Sequence, residues 1–195
     1  MGEGTDFQVF ISHDTTDQLL ATRLFHILNR IGAYPYIYEL FPQYRQDIHL
    51  RIHEVLRKCK LFLCLLSRNG IGSQWVHQEL GAAYALDMVI IPCIEYGVSY
   101  VGFVQFRQRI DYYPHNFDAF AYQVIWAVRQ ELLGHGETLS FTLTCPNGHR
   151  ESAYAVPTTD LINDTIEKGH FLVYTCVRCG IQFLVSPSTL EEVRG

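Results

Sequence analysis

Two runs without a polar interruption, LFLCLL (Leu61–Leu66) and VIIPCI (Val89–Ile94), constrain this chain more than any other feature. A strand that is apolar at every position must be covered on both faces, which is the situation of a central strand in a parallel sheet. Parallel neighbours need a long crossover between them, and the intervening residues supply one: SQWVHQELGAAYAL (Ser73–Leu86) carries Trp75, Val76, Leu80, Ala83 and Leu86 on one helical arc. Ser73 is the expected N-cap. His77, Gln78, Gly81 and Ala85 take the opposite side. Glu79 breaks the pattern, because the same spacing projects its carboxylate into the middle of the apolar arc.

The preceding residues repeat this alternation. FQVFI (Phe7–Ile11) reads as a buried strand, and Asp17–Asn29 as a helix built on Leu20, Leu24, Ile27 and Leu28 and stopped by Gly32. YPYIY (Tyr34–Tyr38) follows as a second strand, with Pro35 marking a strand start or an edge. ELFPQYRQ (Glu39–Gln46) is a loop, and Asp47–Lys58 a helix with Ile48, Ile52, Val55 and Leu56 on one face. After Ile94 an irregular stretch leads to a last helix at Phe117–Leu133. The fold class is therefore α/β, a parallel sheet flanked by helices. Ligands in such sheets bind beyond the carboxyl ends of the strands. That rim gathers ISHD (Ile11–Asp14), the Glu39–Gln46 loop and RNGIGS (Arg68–Ser73), with Glu79 just beneath it.

Gly134-His135-Gly136 reads as a linker, dividing the chain into residues 1–134 and a small β-rich unit at 138–195. The second unit holds short runs (FTLT, YAV, FLVYT, QFLV) and is too small to rely on a core alone. It contains CPNGH and CVRCG. Cys145, His149, Cys176 and Cys179 are the expected ligands of a tetrahedral Zn2+, with His170 an alternative fourth. Four protein ligands leave no open coordination position, so the predicted zinc is structural. Gly180 suits the tight turn of the second ligand pair. Cys59, Cys64 and Cys93 sit singly in apolar surroundings and read as small buried hydrophobes.

Composition excludes several functions. A net charge of −5, with four Lys/Arg against six Asp/Glu from Thr138 onward, argues against nucleic-acid binding. With 48% hydrophobic residues and a mean hydropathy of +0.04 the chain can bury a core, yet no run reaches the ~20 residues of a membrane span. The N-terminus shows no signal-peptide pattern and no convincing myristoylation motif, and reduced thiols fit a cytoplasmic location. The first strand is followed by no glycine-rich turn, and no P-loop occurs. The third strand ends LCLLS, without the aspartate a phospho-receiver needs.

The order and spacing of these segments resemble the TIR domain over roughly residues 6 to 133. The resemblance rests on VFISHDTTDQLLATRLFHILNRIGAYPYI, on the Glu39–Gln46 segment in the place of the BB loop, and on SQWVHQELGAAYAL followed by VIIPCI. The W-x-x-x-E within it is that of bacterial and archaeal NAD-cleaving members. The resemblance implies a flavodoxin-like fold and an NAD+ glycohydrolase in which Glu79 is catalytic. By the same resemblance Ser12, His13, Tyr38 and Phe41 line the NAD+ site, and Trp75 shapes its wall. Nicotinamide leaves NAD+ as a neutral base, so the need is one carboxylate that stabilises positive charge on the ribosyl carbon. A glutamate with its ordinary pKa of about 4.3 is ionised at neutral pH and suits that role. NAD+ is then a substrate, and the products are nicotinamide with ADP-ribose or a cyclic isomer. The resemblance further implies prokaryotic antiphage signalling, self-association through TIR domains, and a partner sensor or effector. Two alternatives stay open: a non-enzymatic TIR–TIR scaffold, and a deoxyribosyltransferase-like enzyme using the glutamate as a nucleophile.

Overall fold

A computed structural model of the chain describes residues 8–41, 48–100, 109–134, 140–155, 157 and 159–193. Five strands form one all-parallel sheet: β1 (Val9–Ser12), β2 (Pro35–Tyr36), β3 (Leu61–Leu66), β4 (Val89–Glu95) and β5 (Ile110–Tyr112), in the order β2-β1-β3-β4-β5. The crossover helices are α1 (Gln18–Arg30), α2 (Ile48–Leu56) and α3 (Gln74–Ala85), and α4 (Phe117–Gly134) follows β5. This is the flavodoxin-like arrangement expected of the sequence.

Strand alternation sorts the core into two layers. Leu61, Leu63 and Leu65 face one side with Val9 and Ile11, against Leu24, Ile27 and Leu28 of α1 and Phe120, Val124 and Val128 of α4. Phe62, Cys64 and Leu66 face the other side with Phe10, against Ile52, Val55 and Leu56 of α2 and Val76, Leu80 and Ala83 of α3. Each fully buried side chain of this kind contributes about 1.5–3 kcal/mol, so the unbroken apolar runs of β3 and β4 are the sheet's spine. Cys59, Cys64 and Cys93 are buried, and burial pushes the Cys59 thiol up to about 12.

Two details of the sheet differ from the sequence expectation. β5 is only three residues long and sits in the stretch expected to be irregular. The second strand is shorter than Tyr34–Tyr38, because Tyr34 takes a positive φ and a 3-10 turn begins at Tyr38. Of the Glu39–Gln46 loop, residues 39–41 are described. Gly134 closes α4, and the rest of the expected linker lies outside the described residues.

The C-terminal residues form two antiparallel hairpins, β6 (Ser140–Thr144) with β7 (Arg150–Ala155) and β8 (Leu172–Thr175) with β9 (Gln182–Val185). Between them lies a helix that the alternating pattern of the flanking strands did not suggest, α5 (Thr159–Glu167). Leu143, Leu172, Phe183, Val185 and Leu190 belong to the same buried cluster as α1 and α4. Arg30, at the end of α1, pairs with Glu191 and Glu192 at 3.2 and 2.5 Å, and Glu192 also accepts from the Thr144 amide at 2.6 Å.

Candidate functional site

The rim of the sheet is fastened before α3 begins. Ser67, at the end of β3, donates to Asp17 at 2.5 Å and accepts from the amide of Gly70 at 2.9 Å. A Cβ on Gly70 would lie 2.6 Å from the Leu65 carbonyl oxygen, so only glycine lets the loop close this tightly. Ser73 stands at the N-cap position of α3, but its side chain makes no cap bond there. Its hydroxyl bonds to Asp14 instead, which itself caps the turn after β1 by accepting from the Thr16 amide. The expected capping role of Ser73 is thus replaced by a link between two rim loops.

These constraints aim Glu79 at the end of β1. Ser12 and Phe10 lie on the sheet face that α3 covers, and Ser12 Oγ donates to Glu79 Oε2 at 2.6 Å. The Trp75 indole N–H, one helical turn earlier, also hydrogen-bonds to the Glu79 side chain. Glu79 is 5% exposed. Burial raises its pKa to about 8, partly offset by the two hydrogen bonds and reinforced by the nearby Glu39 charge. The structure corrects the expectation of an ordinary, ionised glutamate. Desolvation of the charged form outweighs two donors, so without a nearby cation the carboxyl is mostly protonated at neutral pH.

Two clefts meet at Trp75 and Glu79. One, of about 110 Å3, lies between α2 and α3 and is walled by Ile52, Leu56, Ala82, His53 and Gln78. The other, of about 10 Å3, is lined by His13, Tyr38 and Glu39 over Phe10 and Ile11. Ser12, His13, Tyr38, Trp75 and Glu79 are therefore brought together. Phe41 lines neither cleft and instead stacks on Tyr36 at 5.3 Å and meets Phe25 edge-on at 6.0 Å. Glu39, His53 and Gln78 join the site without having stood out in the sequence. Glu39 had a signal, since it adjoins Tyr38 at the start of the rim loop.

The TIR domain family matches residues 9–125. The chain belongs to the TIR domain family. No curated protein matches it significantly. Glu79 and the rim residues around it all fall within the matched span, and no described helix is long and apolar enough to cross a membrane.

The Cys/His cluster lies beyond the matched TIR residues. The ligand atoms of Cys145, His149, Cys176 and Cys179 all lie within 4.8 Å of one another, forming a candidate metal site. Cys145 Sγ is 3.8 Å from Cys179 Sγ and 3.6 Å from His149 Nδ1, and Cys176 Sγ is 3.7 Å from His149 Nδ1. A tetrahedral ion with Zn–S near 2.3 Å and Zn–N near 2.05 Å has edges of about 3.8 Å (S–S) and about 3.6 Å (S–N). These three edges are compatible with that ion, and the Cys145–Cys179 sulfurs are far beyond disulfide length. Each pair sits on a tight turn closed by a glycine at positive φ. Gly148 (φ 80°) bonds to the Cys145 carbonyl, and Gly180 (φ 69°) to that of Cys176. His170, the alternative ligand, is exposed and outside the cluster. The candidate cluster holds His149 in its place.

Proposed function

We propose that this TIR domain is an NAD+ glycohydrolase with Glu79 as its catalytic carboxylate. One observation carries the reading: a glutamate buried at the strand rim, against the pattern of its own helix and held by donors from β1 and from Trp75. Burying an ionisable group of this kind costs stability, and functional sites are where that cost is commonly met. A pyridinium ribonucleotide supplies the missing partner, because positive charge near the carboxyl favours its ionised form. As the glycosidic bond breaks, the charge moves to the ribosyl carbon and a fixed carboxylate stabilises it there. Ser12 and Trp75 hold that carboxylate in one orientation. The larger cleft, on the α2–α3 side, has room for one flat ring beside Trp75.

Nicotinamide release from NAD+ by the concentrated chain, lost in Glu79→Gln and Glu79→Ala, tests the reading. Equal turnover in wild type and both variants removes Glu79 from the mechanism. The second product is ADP-ribose or a cyclic isomer, and chromatography of the same reaction separates the two. TIR domains commonly self-associate, and the reading carries with it assembly-dependent activity, a partner sensor or effector, and antiphage signalling in the cytoplasm. The two-unit division at residues 1–134 and 138–195 belongs to the same proposal, with Cys145, His149, Cys176 and Cys179 holding a structural zinc that stabilises the second unit. A non-enzymatic scaffold is the second reading. It is favoured by cleft volumes of about 110 and 10 Å3, set against the roughly 300–1,000 Å3 of ligand pockets. Absence of turnover under every assembling condition would select it.

A further inference from the structure

On the β1 side of Glu79, two buried polar atoms face each other. His13 Nε2 and Glu39 Oε2 are 3.6 Å apart, and neither has a hydrogen-bond partner among the described residues. His13 is 6% exposed and its Nε2 is buried, so the orphaned nitrogen is not open to bulk solvent. Buried polar atoms are nearly always satisfied, and one shared hydrogen-bonding partner would satisfy both of these. The separation is too long for a direct hydrogen bond, but one oxygen about 2.8 Å from each atom completes the triangle. The cleft they line, about 10 Å3, is the room a single water takes. Glu79 lines the same cleft, and the ring-sized cleft opens on its other side.

We infer that Glu39 accepts the proton of the water that attacks the ribosyl carbon, and that His13 positions that water against it. The inference rests on the NAD+-cleaving reading above and adds the nucleophile's side of the reaction. The bond from the ribosyl C1′ to the pyridine nitrogen breaks, and its electron pair leaves with neutral nicotinamide. The water oxygen bonds to C1′, and its proton passes to the Glu39 carboxylate. Glu39 can return that proton to solvent, because its side chain is 31% exposed. Glu79 is unsuited to accepting it, since it already accepts from Ser12 and Trp75 and is almost fully enclosed. The two carboxylates thus divide the work, one stabilising charge and one taking a proton.

Azide distinguishes a missing base from a damaged site, since it is an anionic nucleophile with no proton to lose. Glu39→Gln should slow nicotinamide release in water on the order of 100-fold, within the usual range for a general base. Added azide should recover at least about tenfold of that loss and yield an ADP-ribosyl azide, while Glu79→Gln is not rescued. His13→Gln, which can still hold a water, should retain more turnover than His13→Leu. Glu39→Gln at the wild-type rate overturns this inference and leaves the NAD+ reading standing. A slow Glu39→Gln that azide cannot rescue also overturns it. A wild-type chain that releases no nicotinamide under any assembling condition overturns both. Equal turnover in the two His13 variants removes the positioning role.

Discussion

Replacing Glu79 by glutamine should remove activity and make the protein more stable, by an amount that grows with pH. The carboxyl titrates near 8 in the folded chain against an ordinary value of 4.5, and burial is the main cause. Between those two values the unfolded chain has lost the proton and the folded chain still holds it. Raising the pH across that window therefore favours unfolding. A gap of about 3.5 pH units corresponds to a ceiling of about 5 kcal/mol. Glutamine avoids this cost but fits the Ser12 and Trp75 donors less well, a loss of about 1 kcal/mol. The net gain above pH 8 is then about 3–4 kcal/mol, or on the order of 10 °C in Tm for a chain of this size. Near pH 5 the gain should shrink to nothing or reverse slightly. Thermal unfolding of both proteins followed by circular dichroism across this range provides the measurement, and titrating groups not coupled to Glu79 cancel in the difference. A Tm difference that is constant between pH 5 and pH 9 would refute the reasoning, because the buried carboxyl would then carry no linked proton.

If nicotinamide release requires ionised Glu79, kcat/KM should rise about tenfold per pH unit toward pH 8 and level off above it. For kcat the apparent pKa should lie lower, since the bound pyridinium favours the carboxylate; a pH-independent kcat/KM from pH 6 to 9 would contradict this. Gly70→Ala should destabilise the fold by about 1–3 kcal/mol, because the new Cβ meets the Leu65 carbonyl at 2.6 Å, and denaturant titration reads it directly. The purified chain should contain one zinc, and Cys176→Ser or strong chelation should lower the Tm of the whole protein, since Cys145 and Cys176 lie in the cluster shared with α1 and α4. Metal-free protein of unchanged stability by elemental analysis and calorimetry would rule the site out.

The sheet's centre was legible because its physics is local. LFLCLL and VIIPCI have no polar face, and that alone requires helices above and below. α5 had a local signal too, with Leu161, Ile162, Thr165 and Ile166 at helical spacing before Gly169, but the surrounding hairpins obscured it. The three residues of β5 carried too little pattern to register, as their strand character comes from pairing with Cys93–Glu95. In the site, Glu79 stood out as an exception to its helix's periodicity. The strand order put the segments of His13 and Glu39 on one rim, but not their side chains face to face, because that pairing depends on rotamers and loop geometry that no local pattern encodes. Their proximity is a product of the parallel β1–β2 pairing, which sets both strand ends on the same side.

The same pairing accounts for the state of Glu79. A carboxyl placed under a sheet rim is desolvated by the strands that hold it, and Ser12 and Trp75 orient it without restoring what water supplied. A second carboxylate, Glu39, then pushes it further from ionisation. For a scaffold, this arrangement would be a pure loss, and Gln or Leu at position 79 would serve the core better. For a site that receives a cation, the loss is a source of selectivity. The enclosed carboxyl gains most from a ligand that brings positive charge, and gains nothing from a neutral one of the same shape. NAD+ should therefore bind wild type more tightly than NADH as the pH rises toward 8, and the discrimination should disappear in Glu79→Gln. Equal preference in the two proteins would mean that the carboxyl does not sense the charge of the ring.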